Sequence, residues 1–158
     1  MKKFITAVSL TLAVTGFAGL ANAETWSPTG AVALFNVGNI SVFKGINLTC
    51  GLSGSGNING ADASVGSLAL TGFLCSTISF NGLPYNIEGN TGGTVTLEGV
   101  VVVGITGDCA GDLIGTFDQA TGILTFDAAE IPSSPPGGAP CQITGAVGTN
   151  PQASYTNP

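Results

Sequence analysis

The clearest indication of the fold is residues 115–126, which have the sequence GTFDQATGILTF. Two runs of alternating apolar and polar residues are joined by a polar segment that ends in Gly122, a pattern typical of a β-hairpin with that glycine in the left-handed conformation. Asp118 begins the connecting segment, and we expect its carboxylate to accept hydrogen bonds from the turn backbone. The carboxylate of Asp118 is therefore interpreted as structural rather than catalytic.

Short apolar runs of the same kind recur on both sides of this hairpin, separated by Gly and Asn, and no stretch has a helical period. The predicted strands are 31–35, 40–43, 46–52, 67–71, 77–80, 94–105, 113–117, 123–126 and 142–147. The longest run, 94–105, has high β-propensity and low charge, and we interpret it as a buried central strand in preference to an edge that drives assembly. The spacing predicts an all-β fold, a small antiparallel sandwich or barrel.

Four cysteines, Cys50, Cys75, Cys109 and Cys141, indicate two disulfides if the chain is exported to an oxidising compartment. Three pairings are possible. We favour Cys50 with Cys75 and Cys109 with Cys141, since each pair closes one successive block of the chain, and each bridge then contributes roughly 3–4 kcal/mol through loop entropy. The cysteines are far apart, and the chain has no histidine, so neither a metal site nor a cofactor is expected.

The N-terminal residues 1–23 have the features of a secretory signal peptide. Two lysines follow Met1, an apolar segment extends from Phe4 to Leu20, and Ala21-Asn22-Ala23 fits a small-residue cleavage site. A transmembrane anchor is the alternative interpretation of the same stretch. No later apolar run is long enough for a spanning helix. We expect a mature protein that begins at Glu24, passes through the periplasm and is secreted, either extracellular or on the cell surface.

Charge and composition exclude several classes of function. The chain has nine acidic and three basic residues, and beyond residue 23 the only basic residue is Lys44, so nucleic acids and anionic lipids are poor partners. General acid–base and nucleophilic catalysis usually depend on His or on an activated Lys. Because the chain has no His and Lys44 is expected to point into solvent, the protein is predicted not to be an enzyme.

A calcium site built from carboxylates is the main alternative to the prediction that the protein binds no metal. Asp108, Asp112 and Asp118 are spaced closely enough along the chain to suggest calcium, which prefers oxygen ligands. The segment does not follow the alternation or the distal Glu of an EF-hand loop. The prediction therefore remains that the protein has no metal site.

The domain organisation is predicted to be simple. Residues 24–148 form a single all-β domain, and residues 149–158 are expected to be a flexible tail. Within the domain, the proline-rich stretch 131–140 is predicted to be a surface loop, because its four prolines are incompatible with a central strand.

Aromatic residues provide the candidate contact sites. Trp26 and Tyr155 are near the ends of the mature chain, where exposure is expected, and they are the predicted interface contacts. Five other aromatic residues lie in or beside predicted strands and are expected in the core. These are Phe43, Phe73, Phe80, Phe117 and Phe126.

A series of cysteine and turn motifs is distributed over residues 44–145. The motifs are Lys44-Gly45-Ile46, Leu48-Thr49-Cys50, 72–76 (GFLCS), 82–85 (GLPY), 97–100 (LEGV), 107–111 (GDCAG) and 140–145 (PCQITG). With these motifs the chain resembles the secreted alkane-oxidation activator (PraB-like) family, although the loop at 131–140 is longer than expected for that family. The motifs form a framework and include no catalytic signature, so no site residue is carried over.

This resemblance implies a secreted protein of the cell surface or extracellular space that acts at hydrophobic interfaces, as a biofilm adhesin or surfactant. Any effect on alkane uptake or oxidation would be indirect. A surface with few charges and many Ser, Thr, Asn and Gly residues agrees with adhesion. Expected partners are hydrophobic surfaces or oil droplets, other copies of the chain or the biofilm matrix. The alternative is a pilin-like or spore-coat-like structural subunit that assembles into fibres or a surface layer.

Overall fold

The computed structural model describes residues 24–157, and the predicted signal peptide lies outside the described residues. The strands are β1 (Thr25–Ser27), β2 (Gly30–Lys44), β3 (Ile46–Ile58), β4 (Ala63–Thr71), β5 (Ser79–Asn81), β6 (Tyr85–Asn90), β7 (Thr94–Val103), β8 (Asp108–Asp118), β9 (Ile123–Ile131), β10 (Ser133–Ser134), β11 (Cys141–Asn150) and β12 (Ser154–Thr156). A single 3₁₀ turn spans Cys75–Thr77. Across 24–157, no helix has the length and apolar character needed to cross a membrane.

Eight strands form a closed antiparallel barrel. This confirms the all-β prediction, and of the two predicted architectures, sandwich and barrel, the fold is the barrel. Around the barrel the order is β2, β3, β4, β6, β7, β8, β9 and β11, and β11 pairs with β2 to close it. The alternation along β8 shows that one face of the strand lines the core: Leu113 and Phe117 point inward, and Ile114 points outward.

Strand β2 is longer than the sequence indicated. The predicted strands 31–35 and 40–43 are two halves of one strand, and the pairing with β3 changes register between Phe35 and Ile40. The intervening residues form a bulge, whose polar and glycine residues resemble a turn in sequence. The strand therefore continues through a region that local pattern assigns to a loop.

Strand β7 confirms that the long apolar run is central. It pairs with β6 on one side and β8 on the other, and the short β5 joins its end. Val95 and Val100 of this strand are buried in the barrel. The strand ends at Val103, so the last predicted residues, Gly104 and Ile105, belong to the following turn.

The hairpin that first indicated the fold is formed by β8 and β9. Gly122 has a φ of +67°, and the amide of Ala120 donates a 2.9 Å hydrogen bond to Oδ1 of Asp118. The hydroxyl of Thr121 donates to the other carboxylate oxygen, and these two bonds lower the pKa of Asp118 below its ordinary value. The structural role predicted for Asp118 is confirmed.

The two ends of the barrel differ. At the end that we call the upper end, β1 and β12 pair as a separate two-stranded sheet. At the lower end lie the β2–β3 turn, the β7–β8 turn and the proline-rich loop. The first residue of the predicted loop, Ile131, is instead the buried end of β9 and pairs with Cys141. The remaining residues, 132–140, lie at the surface, where β10 pairs at an edge with Asp108 and Cys109.

Both disulfides have the predicted pairing. Cys50 of β3 is joined to Cys75 of the 3₁₀ turn, and Cys109 of β8 is joined to Cys141 of β11. Strand β9 separates β8 from β11 in the barrel, so the second bridge links strands that are not neighbours. The lower half of the barrel is covalently fixed on two sides.

The predicted flexible tail at 149–158 is wrong for the described residues up to 157. Strand β11 extends to Asn150, and β12 follows, with Tyr155 opposite Trp26 in the small sheet. A long-range pairing of two three-residue strands gives this segment hydrogen bonds that no local sequence pattern predicts. The folded domain therefore extends beyond the predicted boundary at residue 148.

Candidate functional site

The two predicted contact residues are not exposed. Trp26 is 3% exposed and Tyr155 is 6% exposed, with ring centroids 4.8 Å apart. Phe117 packs against both rings, and we call these three residues the aromatic lid because they cover the upper end of the barrel. The prediction of exposure is wrong, since the small sheet folds both rings back over the barrel opening. Their predicted role as contact residues loses its basis.

Hydrogen bonds hold the aromatic lid in place. The Tyr155 hydroxyl lies 2.9 Å from the carbonyl oxygens of Asn90 and of Thr94, and it donates to this pair of acceptors. The indole N–H of Trp26 donates to the carboxylate of Glu24. Burial, together with the negative charge of Glu24, raises the pKa of Tyr155, so the phenol stays neutral at physiological pH.

Lys44 does not point into solvent as predicted. Its ammonium donates to the carbonyl oxygen of Asp108 at 2.8 Å and to the hydroxyl of Ser133 at 3.1 Å, and it lies 3.2 Å from Sγ of Cys109. The side chain therefore crosses the lower end from β2 to β8 and β10. These three atoms can each accept a hydrogen bond, so this lysine acts as a structural tie.

The three aspartates considered for calcium bond to separate parts of the backbone. Asp108 accepts a hydrogen bond from the amide of Gly104, and Asp112 accepts one from Gly99, whereas Asp118 bonds within its own turn. Within residues 24–157, no three Asp, Glu, Cys or His residues are grouped in a way that suits a metal ion. Asp108 and Asp118 thus bond to turn backbones, and Asp112 bonds to the backbone of β7 where its pairing with β8 shifts register.

The lower end carries exposed apolar side chains on its turns. Ile46 follows the β2–β3 turn, Phe73 lies between β4 and the 3₁₀ turn, and Ile105 lies in the β7–β8 turn. Phe73 is 86% exposed and Ile105 is 61% exposed. We call these three residues the apolar rim. Ile46 and Ile105 line one cleft and so lie together, and contiguous apolar side chains on a surface are typical of contact with another apolar surface.

Two of the expected core phenylalanines are exposed, which corrects the prediction. Phe43 alternates with the buried Val42 along β2 and so faces outward, and Phe73 projects from its loop. Phe117 and Phe126 are buried as predicted, and Phe80 is partly buried. Adjacent strand residues face opposite sides, so an apolar residue beside a buried one is outside.

The apolar rim rests on a rigid base. Ile46 and Ile105 line one shallow cleft together with Leu48 and Ile78, so the turns of two separate hairpins meet there. The disulfide sulfur of Cys75 lies 3.4 Å from the carbonyl oxygen of Thr49 and joins the segment after Phe73 to β3. The segments that carry these side chains are therefore anchored to the barrel.

Sequence reasoning missed Ile46 and Ile105 as exposed contact residues. Ile46 directly follows Gly45, and Ile105 lies between Gly104 and Thr106 with Gly107 next in the chain. A large apolar residue within a glycine turn has few neighbours that can bury it, and this signal could have identified both residues. Phe73 carries the same signal, since it follows Gly72.

The family of the chain follows from a comparison with known protein families. The model of the alkane oxidation protein activators described as PraA/PraB-like matches residues 1–157. No curated protein and no solved structure matches the chain. The family match confirms the resemblance found in the cysteine and turn motifs, and its description is that of an activator. The chain belongs to the PraA/PraB-like family of alkane oxidation protein activators.

Proposed function

We propose that this alkane oxidation activator is an exported protein that acts at hydrophobic interfaces, as a biofilm adhesin or surfactant of the cell surface or extracellular space. It would promote alkane uptake or oxidation indirectly, by contact between the cell and oil. The observation that carries the proposal is the apolar rim, where Phe73 and Ile105 project from turns of a disulfide-linked barrel. A rigid frame lets a protein expose apolar side chains without collapse around them.

The energetics of the apolar rim fit reversible contact. Transfer of one large side chain from water to oil contributes about 1.5–3 kcal/mol when the side chain is fully buried. Three partly exposed side chains give a single copy a modest affinity for an oil surface. Many copies on one cell would bind together, and their combined avidity would be high. This behaviour suits an adhesin better than a receptor for one soluble ligand.

Other features support export and a role without catalysis. Two buried disulfides are typical of proteins in oxidising compartments outside the cytoplasm. The chain has no histidine, and its Lys44 is engaged by backbone and side-chain acceptors. These observations favour an activator that works by physical contact.

The test is the partition of the purified, disulfide-bonded protein between water and hexadecane droplets. We expect the wild type to bind droplets and to lower interfacial tension, and Phe73→Ser to weaken droplet binding several-fold. Phe35→Ser is the matched control, because Phe35 is exposed within the paired part of β2, opposite Ser53 and Gly148, and not on a turn. Equal circular dichroism spectra would establish that both variants fold. A wild-type protein that stays in the aqueous phase would overturn the proposal.

The alternative is a pilin-like or spore-coat-like subunit that forms fibres or a surface layer. In the part of the chain that the structure describes, each barrel strand pairs on both sides, and the remaining strands, β1, β5, β10 and β12, have three residues or fewer. Strand exchange between copies has little edge to use. Size-exclusion chromatography separates the two functions: a monomer supports the interfacial protein, and ordered polymers that grow with concentration support the subunit.

A further inference from the structure

The barrel encloses an apolar cavity of about 100 Å³ that the proposed surface role does not use. Strands from all sides of the barrel line it, and Leu97, Val100 and Leu113 are among its buried residues. Among residues 24–157, Ser64 and Thr149 are the two Ser, Thr, Asn or Gln residues in the lining. The hydroxyl of Thr149 already accepts a 2.8 Å hydrogen bond from the amide of Ala153. The lining of the cavity is therefore almost entirely apolar.

Water is a poor occupant of this cavity. A buried water molecule requires two to four polar partners, and aliphatic and aromatic side chains supply none. Apolar cavities of this kind remain dry and accept apolar guests, which restore the dispersion contacts that an empty space lacks. Charged guests are excluded as well, because within the described chain no charged residue lines the cavity to compensate a buried charge.

The size of the cavity limits the guest to a small molecule. An engineered apolar cavity of about 150 Å³ holds benzene, so the present cavity suits a smaller guest. Benzene has six carbon atoms, and a guest with about half that number fits the smaller volume. Propane has this size, and its uncharged methyl and methylene groups match the lining.

The upper end is the route by which a guest can enter. Trp26 belongs both to the cavity lining and to the aromatic lid, and it is held by the three-residue pairing of β1 with β12. The lower end is closed more firmly, by the Cys109–Cys141 bridge and by Lys44. Local opening favours elements with few contacts, so the small sheet opens before the rest of the barrel.

We infer that the barrel interior is a binding site for one short alkane, admitted by opening of the aromatic lid. The site is separate from the apolar rim in place and in mode of binding. The rim contacts a surface, whereas the cavity encloses a single dissolved molecule. If the apolar rim proves not to bind oil, the proposal for the cavity still stands, and the reverse is also true.

The test uses the full, disulfide-bonded protein with methyl groups labelled by ¹³C, and the probe is propane gas at increasing pressure. We expect saturable chemical-shift changes at the methyl groups of Leu97, Val100 and Leu113. The exposed Val37 and Ile114 should show only small changes that rise linearly with pressure. Absence of saturation at the three interior residues would overturn the inference, whatever the droplet experiment gives.

A filled cavity provides the second arm of the test. The double variant Val95→Ile with Val100→Ile adds two methyl groups to the lining and is expected to weaken propane binding at least tenfold. Val37→Ile is the matched control, since it makes the same change on the exposed wall and should leave binding unchanged. Propane binding to the folded double variant at wild-type strength would contradict the site.

An enlarged cavity covers the case in which the filled variant does not fold. Leu97→Ala removes a buried side chain from the lining. We expect this variant to bind benzene saturably, whereas the wild type does not, because the larger space accepts the ring. The same weak response to benzene in both proteins would argue against an interior site.

Discussion

The ammonium of Lys44 lies 2.8 Å from the carbonyl oxygen of Asp108, so the only basic side chain in residues 24–157 joins the end of β2 to the start of β8. These strands are not neighbours in the barrel, because β9 and β11 lie between them on one side. Together with the bond to Ser133, this contact fastens the proline-rich loop to the lower end of the barrel.

Removal of this tie should destabilise the protein. We expect Lys44→Met to lower the free energy of unfolding by about 1–2 kcal/mol, because hydrogen bonds from a charged donor are lost and a carbonyl oxygen loses its partner. Ser133→Ala, which removes one acceptor and keeps the Lys44–Asp108 contact, should cost less. Urea denaturation measures both, and equal losses for the two variants would contradict a tie centred on Asp108.

The aromatic lid should be the most sensitive part of the upper end. Trp26→Ala is expected to cost about 3–5 kcal/mol, as large aromatic residues do when they are removed from a core. Tyr155→Phe removes only the hydroxyl and should cost about 1 kcal/mol. Phe35→Ala on the exposed wall serves as the control and should cost less than 1 kcal/mol. If Trp26→Ala were as mild as the control, the lid would not be part of the core.

Loss of the Cys109–Cys141 bridge should weaken the barrel more than loss of Cys50–Cys75. The two bridges close loops with similar separations, 32 and 25 residues, so chain entropy predicts about 3–4 kcal/mol for each. The Cys109–Cys141 bridge also provides the sulfur atom beside the ammonium of Lys44. Paired Cys→Ala variants and thermal unfolding give the comparison. A larger loss for the Cys50–Cys75 pair would be the contrary result.

Alkaline pH should destabilise the protein through its two tyrosines. Burial raises the pKa of Tyr85, and burial together with Glu24 raises that of Tyr155. An unfolded tyrosine ionises near pH 10, so the stability contributed by the neutral phenols is complete below that pH. It is lost as the pH rises through the higher pKa values of the folded state. The double variant Tyr85→Phe with Tyr155→Phe should show a flatter decline above pH 10 in denaturation experiments, and an unchanged slope would contradict this assignment.

Local sequence was sufficient for much of the fold. The alternation around Phe117 and the glycine at 122 specify a hairpin within twelve residues, and the structure contains it. The sequence allowed three cysteine pairings, and the structure has the favoured one, in which each bridge closes a successive block. The choice of barrel over sandwich was not predictable, since it depends on the pairing of β11 with β2, where Gln142 lies opposite Phe43.

The candidate site was less predictable than the fold. Trp26 and Tyr155 were selected because they are near the chain ends, yet their contact with each other buries both. Such a contact joins two short strands from distant parts of the sequence, and neither strand has a pattern of its own. Phe73 was assigned to the core by its hydrophobicity, although its loop position exposes it.

The pairing of β1 with β12 has a practical consequence for handling the protein. Residues 25 and 156 are opposite each other in the small sheet, so a linker joined to either side of the described segment leaves the molecule at the upper end. Coupling to a sensor chip through such a linker would direct Phe73 and Ile105 away from the support. Immobilised copies would then share one orientation, with the same face free to meet an oil droplet, whichever side of the described segment carries the linker.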